Sequence, residues 1–333
     1  MSSAALSPSP APVAAAEGQP RAPCLACGDS APEAIHPSAE KGFEIRVCAG
    51  CGLGRTWPPE APDQIGAWYP QQYYGTENVR FNPLFERLVK WFRRRRAGVL
   101  FNRIPRGPLL DVGCGRGLML SHLRELGYDV QGIEFSDTAA WHARTVLKLP
   151  VATDDFIRAP PEPNRYNAIL FWHSLEHLAE PGLALARAYD SLRPGGLLTI
   201  AVPNHDSWEA RFFGRDWFHL DVPRHYFHFG VRSLTQALSA HGFRVVQLDH
   251  FSFEQNPYGI LQSLYNRLGF HFNLLYSLLK DRKARQENVW RFPFQSLAIV
   301  SLLPLFLPLS LALMLGETAL RSGGTIEVYA FKE

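Results

Sequence analysis

Two groups of residues in this chain are spaced for chemistry. Cys24-Leu-Ala-Cys27 and Cys48-Ala-Gly-Cys51 are two C-x-x-C pairs with 20 residues between them. Each pair can form a turn that brings two thiolates to one metal ion. Four sulfurs suit a tetrahedral, closed zinc site with no position left for substrate water. A mononuclear iron site takes similar ligands, so spacing alone does not choose the metal, and four unrelated buried thiols are the plain alternative. The second group, His173-Ser-Leu-Glu176-His177, follows the apolar run Tyr166 to Trp172. An imidazole titrates near neutral pH and can take a proton from a hydroxyl or an activated carbon. Packing, or capping of the next helix, is the other role open to these histidines.

The elements that must position the second group begin at Pro108-Leu-Leu-Asp111-Val-Gly113-Cys-Gly115-Arg-Gly117. Leu109, Leu110 and Val112 make the short apolar run of a buried parallel strand. Three glycines within five residues then let the backbone turn tightly and approach a ligand. A helix follows through Leu118, Leu120, Leu123 and Leu126, stopped by Gly127. Strand, turn and helix form a cradle with backbone N–H groups at the helix start. A dinucleotide turn usually reads G-x-G-x-x-G, whereas this one reads G-x-G-x-G behind an acid, Asp111. A carboxylate there suits a cationic ligand bearing an amino group. The next strand, Asp129 to Ile133, ends in Glu134, 17 residues after Gly117, where a carboxylate can accept both hydroxyls of a ribose. Ribose plus a cationic amino-acid tail describes S-adenosylmethionine.

At these residues the sequence resembles the class I S-adenosylmethionine-dependent methyltransferases, over roughly residues 80 to 250 plus a C-terminal strand. The resemblance implies an α/β, Rossmann-like seven-stranded sheet. It puts Asp111, Gly113, Gly115, Gly117, Glu134 and His173 on the cofactor side, and assigns Asp155, of Asp154-Asp155-Phe156, to the adenine amino group. Glu176-His177 is similar to a pair proposed as catalytic in sugar C-methyltransferases, with His177 the expected base and Glu176 or His225 assisting. The cysteine pairs, Trp57-Pro-Pro and Trp68 to Tyr74 look like the zinc ribbon and linker that precede the catalytic domain in some bacterial relatives. A scaffold that binds the cofactor without turnover, recruiting partners through the ribbon, is the rival from another class.

In order along the chain, residues 1–22 are Ala, Ser and Pro with almost no large apolar side chains and are expected to be disordered. Residues 23–75 are the ribbon and linker, with Phe43 to Val47 as a hairpin strand. Leu84, Leu88, Trp91, Phe92 and Leu100 predict a helix packed on the sheet, and Arg93 to Arg96 a solvated face or a contact for acidic lipid heads. Residues 76–251 with 325–333 are the methyltransferase domain. Its fifth strand ends at Pro203-Asn204, expected at the ligand end. Asp216 to Tyr226, rich in aromatics, His and charges, reads as a substrate-recognition loop or a buried polar–aromatic corner.

Residues 252–324 are an insertion where a short turn would join the sixth strand, 243 to 249, to the seventh, Thr325 to Phe331. Ser296 to Gly316 carries no charge and reaches the minimum length of a bilayer span, with Pro304 and Pro308 expected to interrupt its helix. Because the flanking strands share one aqueous sheet, the insertion must cross a bilayer an even number of times, as in a kinked or re-entrant hairpin. Tyr258 to Leu279 reads as an amphipathic helix at an interface, beside a basic patch of Lys280, Arg282, Lys283 and Arg285. A cap on the domain, or a dimer contact, is the other reading.

With 333 residues, 46% of them hydrophobic, the chain can bury a sizeable core, and a net charge of +3 argues against a nucleic-acid-binding face. Five cysteines, four of them paired, suggest metal in a reducing compartment, and no secretory signal is expected. The expected setting is cytoplasmic, peripheral or monotopic at the inner membrane. The expected partners are S-adenosylmethionine, structural zinc and a small-molecule, sugar or glycolipid acceptor.

Overall fold

The computed structural model describes residues 23–30, 33–59, 81–159 and 162–333. The tail before residue 23 and the aromatic linker from Trp68 to Tyr74 lie outside them.

The chain opens with an antiparallel meander, β1 (Glu33–Pro37), β2 (Glu44–Cys48) and β3 (Gly54–Trp57). Helix α1 (Pro83–Phe101) is capped by Asn82, whose side chain accepts from the Phe85 N–H, with Pro83 at the first helical position. The helix forms as expected, but its inward stripe differs. Leu84, Leu88 and Trp91 are exposed, while Glu86, Arg96, Ala97 and Leu100 are buried. The arginine run is likewise not wholly solvated. Arg96 pairs with Glu327, and Arg93 with Glu254 at 2.5 Å. Two buried carboxylates on neighbouring elements draw those cations inward, which helical spacing cannot reveal.

The sequence then alternates strand and helix: β4 (Pro108–Val112), α2 (Leu118–Glu125), β5 (Asp129–Glu134), α3 (Asp137–Trp141), β6 (Val151–Thr153), β7 (Tyr166–Trp172), α4 (Pro181–Ser191), β8 (Leu192–Pro203) and α5 (Trp208–Phe213). A two-residue strand β9 (Phe227–His228), α6 (Val231–Ala240) and β10 (Phe243–Asp249) follow. The insertion is four helices, α7 (Asn256–Arg267), α8 (Leu274–Leu279), α9 (Arg282–Arg291) and α10 (Pro293–Ala319), before β11 (Thr325–Lys332). The main sheet has the order β10-β11-β8-β7-β4-β5-β6. It is parallel except for β11, which is antiparallel to both β8 and β10. This is the Rossmann-like arrangement of the class I fold, with the insertion before the last strand. Strand residues alternate between two cores: Leu110, Val112, Ile169 and Phe171 face one side, Leu109, Ala168 and Leu170 the other.

Residues of the cysteine module, Ala26, Cys48, Cys51 and Leu53, belong to the first of those cores. The module's sheet also takes β9 as its fourth strand, with Gly54 opposite His228 and Arg55 opposite Phe227. A hairpin with an unpaired edge gains its last hydrogen bonds from a segment 170 residues away.

The insertion departs from expectation twice. Tyr258 to Leu279 is not one surface helix: it is α7 and α8, and nine residues of α7 are buried. Its polar residues find partners inside the protein. Ser263 Oγ accepts from the Phe218 N–H at 2.9 Å, and Gln262 Oε1 from the Tyr276 N–H at 2.8 Å. A polar face therefore need not point to water when it is hydrogen-bonded. Pro304 and Pro308, moreover, do not break α10, which runs unbroken for 27 residues. Both prolines sit on its exposed side, clear of the docked face. Among the described residues α10 is the helix long and apolar enough to cross a membrane.

Candidate active site

A cavity of about 900 Å³ lies beyond the carboxyl ends of β4, β5, β6 and β7. The glycine turn forms one wall. Gly113 has φ +75°, and a Cβ there would lie 2.5 Å from Ser174 Cβ, whose hydroxyl donates to the Val112 carbonyl at 2.6 Å. Gly115 has φ +56° and open space where a side chain would stand, so backbone alone faces the cavity there. Gly117 caps α2 in the left-handed region.

Two carboxylates meet at this turn. Glu134 accepts the Gly115 N–H through one oxygen at 2.7 Å and the Ser136 N–H through the other at 2.9 Å. Burial raises its pKa, and those N–H groups oppose the shift. Asp111 is buried, and its Oδ1 has no hydrogen-bond partner. Burial pushes it up to about 7, against the pull of Arg93 and with the added repulsion of Glu134. A buried, partnerless carboxyl on a cavity wall suits a ligand that brings its own cation or N–H donors. With a side-chain-free turn and a second carboxylate beside it, the lining of this cavity fits S-adenosylmethionine. Asp154 and Asp155 also line the cavity, and Asp155 Oδ1 accepts the Ile157 N–H at 2.9 Å.

His173, Glu176 and His177, which also line the cavity, follow β7, as the sequence predicts. His173 takes φ +51°, and burial drives its pKa down to about 4. Its Nδ1 stands 3.4 Å from Glu176 Oε1. Glu176 is 1% exposed with neither oxygen hydrogen-bonded, and burial lifts its pKa to about 7. His177 Nδ1 donates to the Arg224 carbonyl at 2.9 Å, and its ring meets His225 edge-on at 4.6 Å between centroids. Burial holds His225 well below the usual histidine range. One ligand atom from each of Glu176, His177 and His225 falls within 4.8 Å of the others.

The Asp216–Tyr226 loop divides between the cavity wall and a buried aromatic corner. Phe218, His219, Asp221 and His225 line the cavity, while Trp217 is 1% exposed in a separate core. Asn204, by contrast, is a structural residue: its Nδ2 donates to the Gly323 carbonyl at 2.9 Å. The residues that sequence reasoning missed come from the insertion. Tyr258, Asn273, Tyr276 and Lys280 line the cavity, and Lys280 Nζ lies 4.9 Å from the Tyr276 ring centroid. The signal that existed, polar and aromatic residues in an apolar stretch, points equally to a membrane interface.

The four cysteine sulfurs converge. Cys24 and Cys51 Sγ are 3.5 Å apart, Cys27 and Cys48 Sγ 3.8 Å, and all four lie within 4.8 Å of one another. Tetrahedral zinc with Zn–S of about 2.3 Å needs sulfurs roughly 3.8 Å apart, so the cluster is compatible with the ion.

The chain is similar to known methyltransferases. The family described as "Methyltransferase domain" matches residues 84–248. A ubiquinone biosynthesis O-methyltransferase of Caulobacter vibrioides is 32% identical over 152 residues, covering 41% of this chain and 58% of that protein. The protein of that name from Brucella anthropi is 26% identical over 208 residues, covering 57% and 81%. The chain thus spans little more than half the length of the first of these. A solved S-adenosylmethionine-dependent methyltransferase from Archaeoglobus fulgidus is 19% identical, with a TM-score of 0.47 over 80% of this chain and 99% of its own. Through residues 84–248 and the sheet they build, the chain belongs to the class I S-adenosylmethionine-dependent methyltransferases.

Proposed function

We propose that this protein transfers a methyl group from S-adenosylmethionine to an oxygen of a small, ring-bearing acceptor, a sugar or glycolipid headgroup among the candidates. One observation carries the reading: the glycine turn with Asp111 and Glu134 and the Glu176, His177 and His225 cluster line a single cavity. Bound there, the cofactor supplies an electrophilic methyl on a sulfonium. The protein's own work is then alignment, and alignment of reactants is itself a large catalytic term. Asp111 would hold the amino group, Glu134 the ribose, Asp155 the adenine amino group, and His173 would pack beside them.

His177 is the proposed proton acceptor. Its Nδ1–H is committed to a carbonyl oxygen, which in the neutral ring leaves the lone pair on Nε2. Glu176 and His225 would set the ring's orientation and electrostatics. The relatives' name, O-methyltransferase, supports oxygen over carbon as the nucleophile. Aromatic residues on the acceptor side, Phe218, Tyr258 and Tyr276, suit the flat face of a ring.

The four cysteines are proposed to hold structural zinc, and residues 23–59 to act as a ribbon docked on a methyltransferase unit formed by residues 81–251 and 325–333. The test is direct. Calorimetry should give one S-adenosylmethionine site per chain. Incubation with the cofactor and a small-molecule extract of a strain lacking this protein should yield a product heavier by one methyl. Tight cofactor binding with no methylated product from any fraction would instead favour a scaffold.

A further inference from the structure

Helix α10 leaves an apolar face uncovered along its whole length. Its buried positions, Ser296, Ile299, Ser310, Met314 and Glu317, lie on one stripe against the body. Opposite them Phe294 is 87% exposed, Leu297 67%, Val300 64%, Leu305 63% and Leu315 60%. No charged residue occurs from Ser296 to Gly316. Water is a poor neighbour for a continuous patch of this kind, so something covers it.

The docking of α10 excludes a crossing. It packs along α7 and also meets α8 and α9, with the Tyr265 hydroxyl donating to the Ile299 carbonyl at 2.8 Å and the Tyr265 and Phe306 rings in contact. Both ends return to the same body. At the first, only Phe292 separates α10 from α9. At the second, the Trp208 N–H donates to Ser322, and β11 enters the main sheet at once. A spanning helix of this length would put its ends about 40 Å apart across a bilayer.

The charges name the occupant. Helix α9 has no buried residue and carries Arg282, Lys283, Arg285 and Arg291 against one acid, Glu287. Trp290, 84% exposed, stands at the junction with α10, and exposed Arg321 stands just past its far end. An uncharged face with cations at both ends and a tryptophan at one is what an element lying in a lipid headgroup layer needs.

We propose that α10 lies flat in one leaflet of an anionic bilayer, with the cations of α9 and Arg321 on the headgroups and no segment crossing. The helices that carry α10 are also those that wall the cavity, through Tyr258, Asn273, Tyr276 and Lys280. Resting on the reading of that cavity as the acceptor site, the acceptor is then an amphiphile that reaches it from the leaflet.

Vesicle flotation of the full chain, after detergent removal, tests this. The protein should float with phosphatidylcholine vesicles holding about 30 mol% phosphatidylglycerol. It should float weakly with phosphatidylcholine alone, and lose most of the difference in about 0.5 M salt, where headgroup attraction is screened. The exposed-face variant Leu297→Glu/Leu305→Glu should lose flotation roughly tenfold or more. Calorimetry with S-adenosylmethionine on the same variant shows that the fold is kept, and reads the cofactor site independently of the membrane. Single cysteines in place of Arg291 and Arg321, the headgroup-level residues at the two ends of α10, should both react with an impermeant maleimide added outside the vesicles. Three results would overturn the proposal: flotation unchanged in the variant, labelling of only one helix end, or a wild-type chain that stays soluble as a dimer dissolved by Leu297→Glu. The last would make a second copy of the chain the occupant.

Discussion

The Nδ1–H of His177 donates to the carbonyl oxygen of Arg224, 47 residues further along the chain. A carbonyl can only accept, so this contact fixes the ring's tautomer. It also ties the residues after β7 to the Asp216–Tyr226 loop.

His177→Ala should therefore lower turnover by roughly 10²–10⁴-fold, the usual contribution of a positioned general base. Affinity for S-adenosylmethionine should change little. Single-turnover rates together with calorimetry separate the two, and near-normal turnover would return His177 to a packing role.

Glu134→Ala should weaken cofactor binding by about 1–3 kcal/mol, the scale of lost charge-assisted hydrogen bonds. Part of the loss will come through the turn itself, because Glu134 holds the Gly115 N–H. Unchanged affinity would remove Glu134 from the cofactor site.

Two glycines of the same turn should fail differently. In Gly113→Ala the new Cβ lies 2.5 Å from Ser174 Cβ at φ +75°, so stability should fall by about 2–4 kcal/mol. Gly115→Ala meets open space and should cost only about 1–2 kcal/mol from its φ, while occupying room that the cofactor needs. Thermal unfolding with and without S-adenosylmethionine distinguishes a lost fold from a lost ligand.

Glu176 makes stability depend on pH. Its ordinary pKa of 4.5 rises to about 7 on burial, so between these values the folded chain holds a proton that the unfolded chain has released. Stability contributed by this group is full below about pH 4.5 and declines as pH rises to about 7. Glu176→Gln removes the cost of burying the ionised form. The variant should be more stable than wild type at pH 8, by about 2–3 kcal/mol, and nearly equal to it at pH 4.5. Denaturant unfolding at the two pH values measures the difference.

Metal removal should reach the active site. β3 pairs with β9, and Thr56 Oγ1 donates to the His225 carbonyl at 2.6 Å. Cys24→Ser should lower the metal content from one ion per chain and loosen residues 23–59, as hydrogen exchange would record. It should also depress turnover through His225. Thr56→Val, which keeps the metal and removes that hydrogen bond, should reproduce part of the loss in turnover.

Local chemistry made much of this protein legible in its sequence. The turn at Gly113 to Gly117, the carboxylates at Asp111 and Glu134 and the pairing of Cys24, Cys27, Cys48 and Cys51 depend on neighbours within a few residues, or on a repeated motif. The resemblance carried by those motifs implied the seven-stranded Rossmann-like sheet, and the folded chain supplied its strand order. What sequence could not supply was which surfaces meet. Leu84, Leu88 and Trp91 have the periodicity of a buried stripe yet face outward, while Arg93 and Arg96 turn in toward Glu254 and Glu327. The polar residues of α7 looked like a water-facing side until partners more than ten residues away accounted for them. Periodicity states that a face is distinctive, and only the packed chain decides what lies against it. For the same reason Tyr258, Tyr276 and Lys280, remote in sequence from the glycine turn, became part of the cavity only when the insertion folded back over it.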